Sequence, residues 1–185
     1  GVFGDADDIL GYSLSSLCFY GPDNDLKRTL YTQPAVFVVS YACLAAAIEA
    51  GPLGRDPSPQ LVAGHSLGEY TALVAAGAVS FEDGLKLVQT RAQLMEQAGM
   101  QHPGTMAAVL GMDIDALQRV CTEAGVEMAN INAPDQVVIS GAVGAIASAM
   151  ELAKSRGARR VISLEVGGAF HSRLMAPASS GMAVA

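Results

Sequence analysis

The sequence predicts an α/β fold in two parts, and two observations carry that reading. From Thr105 to Val166, apolar runs of strand length alternate with helix-length amphipathic runs in the order βαββαβ. Upstream, the short apolar run 60–64 passes through Gly64-His65-Ser66-Leu67-Gly68 directly into a helical pattern, the strand–turn–helix texture of a larger α/β unit.

Each element follows from its local chemistry. The first thirty residues are mixed, with turn signals at Gly11 and at Gly21-Pro22-Asp23-Asn24. A helix follows, with Pro34 in its first turn, apolar residues from Ala35 to Ala50, and Gly51 suited to its end. "GPLGRDPSP" reads as a loop and "QLVAG" as a short buried strand. "LGEYTALVAAG" reads as a helix starting just after Ser66 and stopped by Gly77. Ser80, with Asp83 three residues on, caps a helix that ends near Gly99. Then "TMAAVLGM" is a strand and "DIDALQRVCTEAG" a helix. "VEMANI" and "DQVVISG" are strands joined at Asn132-Ala133-Pro134. "AVGAIASAMELAKSRG" is a helix and "RRVISLEV" a strand. This order is the ferredoxin-like split motif. It predicts a small domain, 104–168, inserted in a larger α/β domain formed by 1–103 and 169–185.

Composition excludes several classes of function. The chain of 185 residues carries a net charge of −7, which argues against nucleic acid as a partner. Cys18, Cys43 and Cys121 are odd in number and widely spaced, which fits a reducing compartment and neither a disulfide framework nor a metal site. The most apolar segment, Ala35 to Ala50, is broken by Ser40, Tyr41 and Glu49, so no membrane span is expected. No secretory signal is read, and a cytoplasmic location is expected. The chain begins at Gly1 and ends in "SSGMAVA", and both ends look cut.

Gly-x-Ser-x-Gly between a strand and a helix is the arrangement of a nucleophile elbow. A sharp turn there lifts the Ser66 hydroxyl clear. The glycines at 64 and 68 allow neighbouring backbone to approach the turn. The helix start supplies free N–H groups, and Leu67 is the expected oxyanion donor. The alternative is a small residue in a tight turn.

A serine nucleophile needs a base. His65 is adjacent, but neighbouring side chains at such a turn point apart. His102 reads as a solvated loop histidine. His171, in "GGAFHSRLM", stands where the chain leaves the small domain and could face Ser66, or could be structural. Arg91 is the second signal. On the helix from Phe81 to Ala98, Lys86, Gln89, Thr90, Gln93, Glu96 and Gln97 share one arc. Arg91 falls in the opposite one, among Leu87, Val88, Leu94, Met95 and Ala98. Arginine cannot shed its proton to ease burial. Either a structural ion pair or a snorkelling stem satisfies it, or it grips a substrate carboxylate. Together these residues point to a serine enzyme for an acyl group with a free carboxylate.

The segments "YTQPAVFV", "GHSLGEYTALVAAGAVSFEDGLKLVQTRAQLM", "GTMAAVLG", "NINAPDQVVISG" and "GAFHSRLM" together resemble the malonyl-CoA:acyl carrier protein transacylases, the acyltransferases of fatty acid synthesis, related to those of polyketide synthesis. The resemblance runs along nearly the whole chain. It implies an α/β-hydrolase-like large domain beside the ferredoxin-like one. It makes Ser66 the nucleophile, His171 its base, Arg91 the clamp for the malonyl carboxylate and Leu67 an oxyanion donor. It places Met95 and Met106 in the acyl pocket, where core packing is the alternative. Asn130, Asn132 and Gln136 match amides beside the family's cleft, where capping of the turn at Pro134 is the alternative. Phe170 resembles the malonyl-type signature, a ring that leaves little room for an α-methyl branch. Two family segments are not found here: an N-terminal strand with a Gly-Gln-Gly-x-Gln loop, and the C-terminal third. The chain is therefore expected to be part of a longer protein.

The mechanism so implied is ping-pong transfer of malonyl from malonyl-CoA to the phosphopantetheine thiol of acyl carrier protein, with no metal or redox cofactor. Lys154, Arg156, Arg159 and Arg160 form a basic cluster that could steer an acidic carrier protein, with Arg159 and Arg160 the expected contacts by resemblance; a solvated helix end is the alternative. Rival readings are a polyketide-pathway acyltransferase, a serine esterase or thioesterase using Asp83, Asp113, Asp115 or Asp135 as third residue, and a non-catalytic carrier-binding module.

Overall fold

A computed structural model describes residues 1–51 and 59–185. The chain is α/β, and by its contacts it divides into two compact units, Gly1–Gln93 and Leu94–Val184. The loop expected at 51–59 lies mostly outside the described residues.

The first unit is helical among the described residues. Helix α1 (Val2–Leu10) ends at Gly11, whose φ of 73° is the left-handed stop expected there. Helices α2 (Leu14–Tyr20) and α3 (Asp23–Leu26) follow, Ser13 capping the first of them through its side chain. Helix α4 (Thr29–Glu49) starts a turn earlier than Pro34 predicts. Pro34 sits inside it and gives up one i→i−4 hydrogen bond. Burial compensates, because Gln33, Pro34, Ala35, Phe37 and Val38 all lie in the core. By length and composition α4 could also cross a membrane; within this unit its Phe37–Val38 stripe packs with Ala6, Leu14, Leu85 and Val88.

The strand expected at 60–64 is not formed. A strand exists by its ladder hydrogen bonds, and the first unit offers no other strand among the described residues. Leu61 is 91% exposed, the opposite of a buried strand residue. Helix α5 (Gly68–Ala75) follows the Ser66 turn, and Gly77 adopts φ 69° after it.

Helix α6 (Phe81–Gln101) begins at a capping box: the Asp83 N–H donates to Ser80 Oγ at 3.0 Å, and that hydroxyl donates to Asp83 Oδ2 at 2.7 Å. Its predicted apolar arc is buried at Leu85, Val88, Ala92, Met95 and Ala98.

The second unit holds the sheet. Strands β1 (Gly104–Leu110), β2 (Glu127–Ala133), β3 (Gln136–Ala142) and β4 (Arg160–Leu164) lie in the order β2-β3-β1-β4, with every neighbouring pair antiparallel. Helices α7 (Ile114–Ala124) and α8 (Val143–Ser155) connect β1 to β2 and β3 to β4. Alternation along the strands divides the side chains. Ala107, Val109, Val137 and Ile139 pack against Leu117, Val120, Ile146 and Ala149 of the two helices. Met106, Ala108 and Val138 face the other way, toward Leu164 and Phe170. A 3₁₀ turn (Arg173–Met175) leads into α9 (Ala176–Met182).

Candidate active site

In the first unit the chain turns sharply at Ser66. Its φ is 52°, a left-handed conformation that costs a non-glycine residue about 1–3 kcal/mol and is met mainly at functional sites. The turn is held by backbone hydrogen bonds from Gly68 N–H to His65 O (2.9 Å) and from Glu69 N–H to Ser66 O (3.2 Å). A Cβ at position 64 would stand 2.0 Å from the Gly68 carbonyl carbon and 2.2 Å from Glu69 N, so only glycine fits. Position 68 differs from expectation: a Cβ there meets nothing within 4 Å. The close approach is one-sided, because the helix backbone passes over residue 64 while residue 68 is itself the start of that helix. Leu67 precedes α5 with helical φ and ψ, in the turn where N–H groups lack intrahelical acceptors. His65 and His102 are exposed.

Helix α6 brings Arg91 to this turn. Arg91 Nη2 donates to Ser66 Oγ at 3.0 Å, and Nη1 donates to Gln33 Oε1. The guanidinium carbon stands 5.8 Å from the Tyr70 ring centre. No carboxylate forms an ion pair with Arg91 among the described residues. Burial lowers the guanidinium pKa from its ordinary value, with partial opposition from Tyr70 and Glu69. Among the described residues Arg91 thus has hydroxyl, amide and ring partners rather than the structural ion pair considered from sequence. Gln33 is a site residue that sequence reasoning missed. Its signal was a buried amide on the apolar stripe of α4, 7% exposed.

The second unit places the remaining predicted residues. His171 is exposed and also left-handed, with φ 59°. Phe170 packs on two clusters, with Met95 and Met175 in one and with Met106, Val138 and Leu164 in the other. Phe170 thereby packs against both the cluster that holds Met95 and the cluster that holds Met106. Asn130 is half-buried and Asn132 exposed on β2. None of Asn130, Asn132 and Gln136, the last at the start of β3, makes a side-chain hydrogen bond among the described residues, so no capping of the turn by them is seen there. Of the four carboxylates considered for a hydrolase, Asp115 lies in the first turn of α7 and the other three have partners. Asp83 belongs to the capping box, Asp113 accepts from Ala116 N–H at 3.0 Å, and Asp135 lies 3.5 Å from Arg159. In the basic cluster Lys154 pairs with Glu151 and Arg156 with Glu123. Arg160, at the start of β4, makes no ion pair among the described residues. No group of three or more metal-ligating side chains occurs among the described residues.

Comparison with known proteins is consistent with these features. The family model for the acyl transferase domain matches residues 6–185. The chain is 48% identical over 183 residues to the malonyl CoA-acyl carrier protein transacylase of Bacillus subtilis, covering 96% of this chain and 56% of that protein. To the protein of the same name in Escherichia coli K12 it is 39% identical, covering 99% and 59%. A crystal structure of an acyl-carrier-protein S-malonyltransferase from Burkholderia pseudomallei superposes with a TM-score of 0.88 at 47% identity, over 97% of this chain and 58% of that one. A malonyl-transacylase solved in complex with its type II PKS acyl-carrier protein superposes with a TM-score of 0.92 at 40% identity, over 99% and 59%. The chain therefore spans between half and two thirds of the length of these relatives.

Proposed function

The chain belongs to the acyl transferase domain family, and from that premise we propose that it carries the nucleophile and carboxylate clamp of a malonyl transferase. The reaction is transfer of malonyl from malonyl-CoA to the phosphopantetheine thiol of acyl carrier protein. The observation that carries the reading is Arg91, a half-buried guanidinium with no carboxylate partner among the described residues, hydrogen-bonded to the Ser66 hydroxyl. A free carboxylate on the acyl group would give Arg91 the anion it lacks, next to the attacking oxygen.

Catalysis proceeds in two balanced halves. His171 takes the Ser66 proton as Oγ adds to the thioester carbonyl, and the oxyanion accepts from Leu67 N–H. The C–S bond breaks, the coenzyme A sulfur leaves with the proton from His171, and malonyl-Ser66 remains, held by Arg91. The carrier thiol then gives its proton to His171 and attacks the ester, and Ser66 recovers its proton. Oxidation states are unchanged throughout, so the exchange calls for no redox cofactor, and no metal is assigned a role. Met95, Met106 and Phe170 line the acyl pocket in this proposal, Asn130 and Asn132 border it, and Arg159 and Arg160 meet the carrier protein. The setting is cytoplasmic fatty acid synthesis, with a polyketide pathway as the alternative consumer.

The same proposal reads residues 104–168 as a ferredoxin-like domain inserted in an α/β-hydrolase-like domain. Its support is the βαββαβ order with strand order β2-β3-β1-β4. The functional reading is tested by incubating the full-length protein with malonyl-CoA and locating the adduct by mass spectrometry. A malonyl group on Ser66, absent from Ser66→Ala, is expected; acylation elsewhere, or none, overturns it.

A further inference from the structure

The turn carrying His171 is held in two different ways. Four hydrogen bonds among the described residues are local. Ser172 Oγ donates to Ala169 O at 2.7 Å, and Ser172 N–H donates to the same oxygen at 3.3 Å. Leu174 N–H donates to Ser172 Oγ at 3.2 Å, and Met175 N–H to Ser172 O at 3.0 Å. Such bonds fix the shape of the turn, which a left-handed His171 requires. They do not fix where the turn stands on the sheet.

A fifth bond does. Glu127 Oε2 accepts from Arg173 N–H at 2.7 Å, across 46 residues of sequence. Glu127 Oε1 lies 3.8 Å from Arg173 Nε. One carboxylate oxygen thus holds the backbone of the residue two positions after His171, while the other only stands near that residue's exposed guanidinium. Glu127 is itself fixed by register at the start of β2, opposite Ser140 of β3. A small cavity lies between Glu127, Ser140 and the segment Ser172–Leu174. Ser140 is among its lining residues, and its hydroxyl is fully buried with no hydrogen-bond partner among the described residues. On the other side, Gly104 leaves room for Ala169: a Cβ there would stand 2.5 Å from the Ala169 Cβ.

We propose that Glu127 is a positioning residue for His171, anchoring its turn to the sheet so that the imidazole is held in place for proton transfer. This rests on the reading of His171 as the base. The Arg173 bond needs an acceptor oxygen at that reach, and the amide of glutamine offers one. In the full-length enzyme, Glu127→Ala is expected to lower kcat about tenfold with the KM for malonyl-CoA within about twofold, while Glu127→Gln stays within about threefold of the parent. Rates are normalised to the fraction of Ser66 that can be acylated, which removes any loss of folded protein. If the alanine variant does not fold, Glu127→Asp takes its place, since its carboxylate falls one methylene short. Parental kcat in the alanine or aspartate variant overturns the inference, and so does a glutamine variant as damaged as alanine. His171→Ala is run in parallel. Retained transfer there removes the base reading itself, whereas an inactive His171→Ala beside an unaffected Glu127→Ala removes only the role of Glu127.

Discussion

Arg91 Nη2 lies 3.0 Å from Ser66 Oγ, across 25 residues of sequence, and the guanidinium's other arm is taken by Gln33. A cation so placed sorts acyl groups by charge. Arg91→Ala in the full-length enzyme is expected to lower malonyl transfer by about a hundredfold while leaving acetyl transfer equal or better. Arg91→Lys is expected to restore little, because an ammonium cannot reproduce the planar fork. Comparing malonyl-CoA with acetyl-CoA as donors checks this; equal loss for both would remove the carboxylate clamp.

The two glycines around Ser66 are expected to behave differently. Gly64→Ala places a methyl group 2.0 Å from backbone that cannot yield without moving the turn. A destabilisation of at least about 2–3 kcal/mol is expected, with loss of Ser66 acylation. Gly68→Ala enters open space at the start of α5 and is expected to change stability by no more than about 1 kcal/mol, in the stabilising direction. Thermal unfolding of both variants measures the difference.

Of the basic cluster, Arg160 is the residue whose charge is uncommitted among the described residues, while Arg159 is shared with Asp135 at 3.5 Å. Arg160→Glu is therefore expected to weaken use of acyl carrier protein more than Arg159→Glu. The effect should be about fivefold to tenfold at low salt and shrink as ionic strength rises. Acylation of Ser66 by malonyl-CoA should be spared. Separate rates for the two half-reactions provide the check, and equal damage to both would remove the docking role.

The thiols give a pH test. Burial pushes Cys121 from its ordinary value of 9.0 up to about 11, whereas Cys43 is exposed on α4. At pH 8 only about one Cys121 in a thousand is ionised, so iodoacetamide should label Cys43 and leave Cys121 untouched until the chain unfolds. The sign of the linkage follows. The unfolded state releases this proton first, so the stability due to Cys121 is present below pH 9 and lost between about 9 and 11. Cys121→Ala should flatten that loss in unfolding measured across the range.

Much of the fold was legible before any coordinates. The βαββαβ order from β1 to β4 could be read because each strand and helix there has its own period, and Gly111, Gly125 and Gly157 punctuate them at positive φ. The capping box at Ser80 and the polar arc of α6 are equally local. The expected strand at 60–64 was not realised, because a strand is defined by a neighbour, and hydropathy alone supplies none. Pro34 misplaced the start of α4, because tertiary burial outweighed its local preference for a first turn.

Sequence by itself determined the types of group available: a serine between two glycines, an arginine on an apolar arc, and a histidine after Phe170. These are properties of residue identity and helical period, which need no partner to be read. Tertiary structure alone decided the pairings. It decided that Arg91 reaches the Ser66 hydroxyl with Gln33 rather than a carboxylate behind it. It decided that Gly64 and not Gly68 is sterically required, and that Glu127 holds the His171 turn. The physical reason is that each of these depends on distance between groups far apart in the chain. A hydrogen bond or a clash changes over a few tenths of an ångström, far finer than any spacing in sequence can specify.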